Sequence, residues 1–140
     1  LADPEKRARE DISHALETLA RFQRHHQVIL GLNEKEALQI GDVLHLPTPT
    51  GRVLTPDTAQ ELCAAIRARL EIGVVVIHPT RFAAAATENA TAAVEGPWTP
   101  APKISTGAGD HFNAGFCFGQ LLGADLGQSL QCGVGTSGFY

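Results

Sequence analysis

Between Thr106 and Phe116 the chain reads Thr-Gly-Ala-Gly-Asp-His-Phe-Asn-Ala-Gly-Phe. Two glycines and an alanine let a backbone come close to a partner, Asp110 follows at once, and an apolar segment with helical spacing runs on from Phe112. A loop that presents several N–H groups ahead of a carboxylate at a helix start makes an anion cradle with a carboxylate beside it. Here the loop is Thr106 to Gly109 and the carboxylate is Asp110. Phosphoryl transfer is the chemistry that suits this pairing, because its loose transition state asks for charge stabilisation and positioning more than for a strong nucleophile. The plainer alternative is a glycine-rich turn that only introduces a helix.

Asn33 and Glu36 form a second pair, in N-x-x-E spacing. Such a pair is close to a capping box, in which the first side chain caps the third helical N–H and the glutamate reaches back. At the mouth of a sheet the same two residues could hold magnesium through water. Both readings stay open. A third turn, His78-Pro79-Thr80-Arg81, follows a run of β-branched residues. Two other patterns are set aside. His25 and His26 are neighbours, so their side chains point to different faces, and no third ligand lies near them in the sequence. Gly133-Val134-Gly135-Thr136-Ser137-Gly138 fits G-x-G-x-x-G, but the dinucleotide fingerprint needs a strand before it, a helix after it and an acidic residue about 20 positions on. These glycines are better suited to close helix packing or to contact with a flat ligand.

The elements that must position these residues can be read in order. Asp3 as N-cap and Pro4 at the first helical position predict a helix to about Arg24, with Ile12, Leu16, Leu19 and Phe22 on one face. Gln27 to Leu30 is a predicted strand, followed by a helix through Ala37, Leu38 and Ile40. Thr55, Pro56 and the series Ala59, Leu62, Cys63, Ile66 and Leu70 mark an amphipathic helix closed by Gly73. Val74 to Ile77 lacks alternation, as expected of a strand buried on both faces of a parallel sheet. Phe82 to Thr87 and Ala90 to Val94 read as paired strands around Glu88-Asn89. Gly96 to Pro102 is a proline-rich connector, and two helices finish the chain, about Ala108 to Leu122 and Leu126 to near Gly135, with Asp125 and Gln128 at capping-box distance. Alternating helices and buried strands give a three-layer α/β fold with a mostly parallel sheet. Ligands in such folds bind at the carboxyl ends of the strands, where all three turns lie.

The 140 residues suffice for one domain with a real core. With no methionine in the chain and a leucine at position 1, the expectation is an excerpt lacking its natural start. A net charge of −4 gives no electrostatic reason for DNA, RNA or an anionic membrane as partner. No apolar run approaches the ~20 residues of a membrane span. Three separated cysteines in apolar helical contexts suggest buried thiols in a reducing compartment, and the expected location is the cytoplasm.

The stretch Thr106 to Phe116 resembles the C-terminal signature of the ribokinase-like (PfkB-type) carbohydrate kinases, T-G-A-G-D-x-F-x-A-G-F. The resemblance extends over most of the chain: Asp3-Pro4 with Arg7 looks like the family's strand ending before a helix, Asn33 to Glu36 is similar to its N-x-x-E motif, and Val74 to Val94 fits its second half. It implies the C-terminal part of a single ribokinase-like domain over residues 1–140, the nucleotide and catalytic half, with the lid and most of the sugar site elsewhere. It implies an ATP- and magnesium-dependent kinase acting on a sugar or nucleoside hydroxyl, with Asp110 as base, Gly107, Ala108 and Gly109 as anion hole, and Asn33 and Glu36 organising Mg2+ and the nucleotide phosphates. Thr106 and Thr80 would also face the nucleotide, and a homodimer of the full-length protein is compatible with it. Departures are an isoleucine, Ile104, where an acidic residue is usual, and the His78 to Arg81 turn where T-x-G is usual, so that the nucleotide contact there would pass to Thr80 or Arg81. His111 is expected to face solvent. A non-catalytic sugar- or nucleotide-binding member of the same fold is the alternative function.

Overall fold

The computed structural model describes residues 7–101 and 106–139; Asp3, Pro4 and Ile104, with the expectations placed on them, lie outside the described residues. Helix α1 (Arg9–Phe22) starts with Ala8 as N-cap, later than a helix begun at Pro4. Ala8 is extended (φ −65°, ψ 152°), and the Arg9 guanidinium donates to the carbonyl of Val43 at 3.2 Å. The helix start is therefore placed by a distant anchor, while Glu10 and Asp11 suit the positive end of its dipole. Ile12 and Leu16 are buried, but Phe22 is 55 % exposed and leaves the predicted face. After α1 the Gln23 side chain accepts the N–H groups of Val28 (2.9 Å) and Gly73 (2.8 Å), which ties together the entries to the first two strands.

Strand β1 (Ile29–Leu32) lies two residues beyond its expected place, and its register with β2 (Val74–Ile77) is parallel, Ile29 opposite Val74 and Leu32 opposite Ile77. Between them come α2 (Glu34–Val43) and α3 (Pro56–Leu70). Thr55 caps α3 with Pro56 at its first turn, and Ala59, Leu62, Cys63, Ile66 and Leu70 are all buried, as the spacing predicts. The left-handed residue that closes α3 is Glu71 (φ 54°) rather than Gly73. Room is tight at Gly73: a Cβ there would lie 3.0 Å from Gln27 Cγ and 3.2 Å from the Val28 carbonyl oxygen.

The turn 78–81 returns the chain as β3 (Phe82–Ala86), and a tight turn at Glu88-Asn89 leads to β4 (Thr91–Glu95). That second turn is closed by the Thr87 N–H donating to the Ala90 carbonyl at 2.8 Å. Connections this short permit only antiparallel neighbours. The described sheet, in order β1-β2-β3-β4, is thus mixed, with one parallel pairing and two antiparallel ones, where a mostly parallel sheet was expected. The three-layer α/β architecture itself is as expected. Val75, Ile77, Ala84 and Ala86 join Ile12, Leu38, Leu62 and Ile66 on the side of α1, α2 and α3. Val74, Val76, Ala83 and Ala85 pack on the other side against α4 (Ala108–Leu121) and α5 (Leu126–Phe139) through Phe112, Phe116, Leu126 and Leu130. Both faces of the β-branched run are therefore buried, which is why it shows no alternation.

Helices α4 and α5 pack closely because small residues meet. A Cβ on Gly115 would meet Thr136 Oγ1 and lie 2.5 Å from the Cys132 carbonyl oxygen, and one on Gly119 would lie 2.8 Å from Ser129 Cα. Asp125 and Gln128 form the expected reciprocal cap, with the Gln128 N–H donating to Asp125 Oδ1 at 2.8 Å and the Asp125 N–H to Gln128 Oε1 at 3.0 Å. α5 runs four residues past its expected end and contains the whole G-x-G-x-x-G pattern. Gly133 lies against the Phe112 ring and Gly138 against Pro97, so packing accounts for both.

Candidate active site

A cleft of about 310 Å³ opens at the carboxyl ends of the parallel pair β1 and β2. Its floor is Leu30, Gly31 and Leu32; Asn33, Glu36 and Ile40 of the α2 side, His78 after β2, and Gly109, Asp110 and Asn113 of α4 complete the lining. The starts of two helices, α2 and α4, thus face one space, and the N–H groups of a first helical turn lack partners within the helix. Two carboxylates share that space with them.

The α2 side is built by local hydrogen bonding. Asn33 is extended (φ −76°, ψ 171°), its Oδ1 accepts the Glu36 N–H at 2.9 Å, and Glu36 Oε2 accepts the Asn33 N–H at 2.8 Å. The capping box is real, and it engages one oxygen of Glu36 while holding the residue at the cleft. Glu34, next in sequence, accepts the Leu54 N–H at 2.8 Å and fixes the connector that follows α2.

The α4 side depends on Gly107. It is the N-cap with φ 94° and ψ −8°, a left-handed conformation that a side chain disfavours, and its carbonyl accepts the His111 N–H at 3.0 Å. His111 Nδ1 also lies 2.9 Å from that carbonyl, so His111 is half-buried and braces the turn, whereas a solvent-facing position was expected. Of the predicted loop, Gly109 and Asp110 line the cleft, while Gly107 and Ala108 stand just before it and Thr106 is exposed outside the lining. Asn113, three residues after Asp110 and so on the same helix face, enters the cleft as well. Its Oδ1 would be 2.5 Å from a Cβ at residue 31, which explains a glycine within β1.

The turn after β2 departs most from expectation. Thr80 is exposed and outside the cleft lining, and the Arg81 guanidinium lies 4.2 Å from the centre of the Trp98 ring. His78 enters the cleft instead. Its N–H donates to the Leu32 carbonyl at 2.9 Å, which joins the ends of β1 and β2, and its ring stacks on Phe112 with centroids 4.6 Å apart. Burial holds the imidazole below its ordinary value of 6.5, against the opposing pull of the Glu36 carboxylate and of a hydrogen bond to its own backbone. His78 is therefore biased toward the neutral form. The available signal for it was position, since it is the first residue after a buried strand.

Among the described residues no group of three or more His, Cys, Asp or Glu is placed to hold a metal. The oxygen donors Glu36, Asn33 and Asp110 nonetheless suit Mg2+, which usually takes one or two carboxylates and completes its shell with water and phosphate. Among the same residues no helix is long and apolar enough to cross a membrane.

The family model described as prokaryotic ketohexokinase matches residues 1–140. No curated protein sequence matches the chain. Among solved structures, adenosine kinase from Sinorhizobium meliloti aligns with a TM-score of 0.65 at 18% identity, covering 93% of this chain and 36% of that one. A PfkB protein from Polaromonas sp. aligns with a TM-score of 0.63 at 17% identity, covering 99% and 39%. A phosphofructokinase-2 variant from Escherichia coli gives 0.63 at 19%, covering 87% and 38%. The chain spans well under half the length of these kinases, and its fold is theirs.

Proposed function

The chain belongs to the prokaryotic ketohexokinase family, and from that premise we propose that it carries the phosphoryl-transfer centre of an ATP-dependent sugar kinase whose acceptor is a hydroxyl of a ketohexose. The observation that supports this best is the convergence of Gly109 and Asp110 with Asn33 and Glu36 around one cleft at the ends of β1 and β2. These residues come from two distant parts of the sequence.

In this reading Asp110 receives the proton of the acceptor hydroxyl. A carboxylate is a weak base, but a loose transition state needs the proton removed late, so placement outweighs basicity. The N–H groups of Gly107, Ala108 and Gly109, with the field at the start of α4, oppose the charge on the transferring group. Glu36 and Asn33 would hold the magnesium–nucleotide end of the cleft. Magnesium, when bound, neutralises phosphate charge. Thr106 and Thr80, exposed beside this end of the sheet, would meet the nucleotide only in its bound state.

The test is phosphotransfer from ATP by the complete natural protein across ketohexoses, aldohexoses and nucleosides. A ketohexose preference is expected. Sugar or nucleotide binding without turnover would identify a regulatory member of the fold instead.

A further inference from the structure

We propose that His78 is a ligand-contacting residue of this cleft, its imidazole completing, beside the N–H groups that open α4, the hydrogen-bonding surface that meets the transferring phosphoryl group. The inference rests on the kinase reading and adds a residue that the signature stretch does not contain.

The ring is held on several sides. Its backbone N–H is bound to the Leu32 carbonyl. Its face lies on Phe112, which is 2 % exposed and stacks in turn on Phe116 at 6.3 Å. Its Cε1–Nε2 edge is turned to Gly109: a Cβ there would lie 3.3 Å from Cε1 and 4.0 Å from Nε2. The absence of a side chain at Gly109 lets the imidazole edge stand directly beside the backbone that leads to Asp110. Glu36 acts on the ring electrostatically. What is left is the side that lines the cleft.

A role in packing alone would not call for nitrogen. A phenyl ring fills the same space over Phe112 and carries no polar atoms to desolvate, whereas burying an imidazole has a cost that only hydrogen bonding recovers. A neutral imidazole carries one N–H, and in the tautomer that places it on Nε2 the ring donates to a ligand in the cleft. Next to the amide groups of α4, the ligand atom in question is a phosphoryl oxygen.

The experiment compares the wild type, His78→Phe and His78→Gln in the complete natural protein, by steady-state kinetics with ATP and the preferred ketohexose, by thermal melting, and by calorimetry with magnesium and the non-hydrolysable ATP analogue AMPPNP. His78→Phe should melt close to the wild type and lose about 10- to 100-fold in kcat, with the KM for sugar changed less than about twofold. His78→Gln, which restores a donor near the Nε2 position, should recover about tenfold of that loss. Wild-type kcat and AMPPNP affinity in a folded His78→Phe would overturn the proposal. Should His78→Phe fail to fold, His78→Gln decides: a rate within about tenfold of the wild type supports the contact, and a rate no better than that of Asp110→Asn overturns it. If the wild type transfers no phosphate at all, the kinase reading fails by itself. His78 is then judged by AMPPNP, where at least about fivefold weaker binding to His78→Phe supports the contact, and equal binding or none to the wild type refutes it.

Discussion

Replacing Glu36 with glutamine separates two tasks that the cleft assigns to one residue. As a cap, Glu36 needs only an oxygen to accept the Asn33 N–H at 2.8 Å, and a glutamine oxygen can do that. What the change removes is a negative charge in the first turn of α2, worth about 0.3–1 kcal/mol where exposed. Asn33→Ala, by contrast, deletes the acceptor of the Glu36 N–H at 2.9 Å and should cost about 0.5–2 kcal/mol. In urea unfolding, Glu36→Gln should therefore stay within about 1 kcal/mol of the wild type and lose less than Asn33→Ala. In phosphotransfer the order should invert, with Glu36→Gln losing at least about tenfold in kcat or requiring much more Mg2+, since a carboxylate is a far better magnesium ligand than an amide. A third readout is independent of turnover. The Glu36 carboxylate raises the His78 titration against burial, so Glu36→Gln should lower it further in an NMR titration. A Glu36→Gln protein that kept full rate and magnesium response while losing as much stability as Asn33→Ala would reduce Glu36 to a cap and refute the assignment.

Gly133→Ala would set a Cβ 2.7 Å from Phe112 Cε2, so the ring that supports His78 must move; a loss of about 1–3 kcal/mol and a fall in kcat are expected. Gly135→Ala is its control, since nothing lies within 4 Å of a Cβ there and alanine favours a helix; its unfolding free energy should be unchanged or higher. Burial pushes the Cys63 thiol up to about 12, the Ile77 backbone hydrogen bond opposing, so in the native protein at pH 8 iodoacetamide should label the half-buried Cys117 and Cys132 first, with Cys63 reacting only on unfolding. His78 has a folded value below its unfolded 6.5, so the unfolded chain takes up this proton first; stability from this source should be constant above pH 6.5 and fall as the pH drops below it. His78→Phe should lack that part of the acid sensitivity, measured as the difference in urea unfolding between pH 7.5 and 5.5.

Local chemistry was legible wherever it was self-contained. The Thr55-Pro56 start, the Asp125 and Gln128 box and the Asn33 and Glu36 box each close within a few residues, and all form as spacing predicts. The Ala83 to Ala86 run could be read as strand only because a turn and a second strand followed it. Features set by distant partners were not legible. The start of α1 depends on an Arg9 anchor to α2, and the place of β1 depends on its register with β2, neither visible in the local sequence. The mixed sheet follows from how short the turn 78–81 is, which the buried character of Val74 to Ile77 concealed. At the cleft, the signature brought Asp110 and Gly109 into view, yet Asn113 stood in the same stretch one helical turn on without being given a role. His78 was not legible because nothing in the local sequence sets it apart from the exposed Thr80 and Arg81, and only the stack on Phe112 shows which way that turn faces.

The most direct test of the account is the steady-state rate of Asp110→Asn in the complete natural protein, with ATP and the preferred ketohexose. Asparagine keeps the size and first-turn position of the aspartate but cannot receive the hydroxyl proton. The expected result is a fall in kcat of about 10²- to 10⁴-fold, with an unfolding free energy within about 1 kcal/mol of the wild type, the worth of the first-turn charge. A folded Asp110→Asn protein that phosphorylates the sugar at the wild-type rate would contradict it.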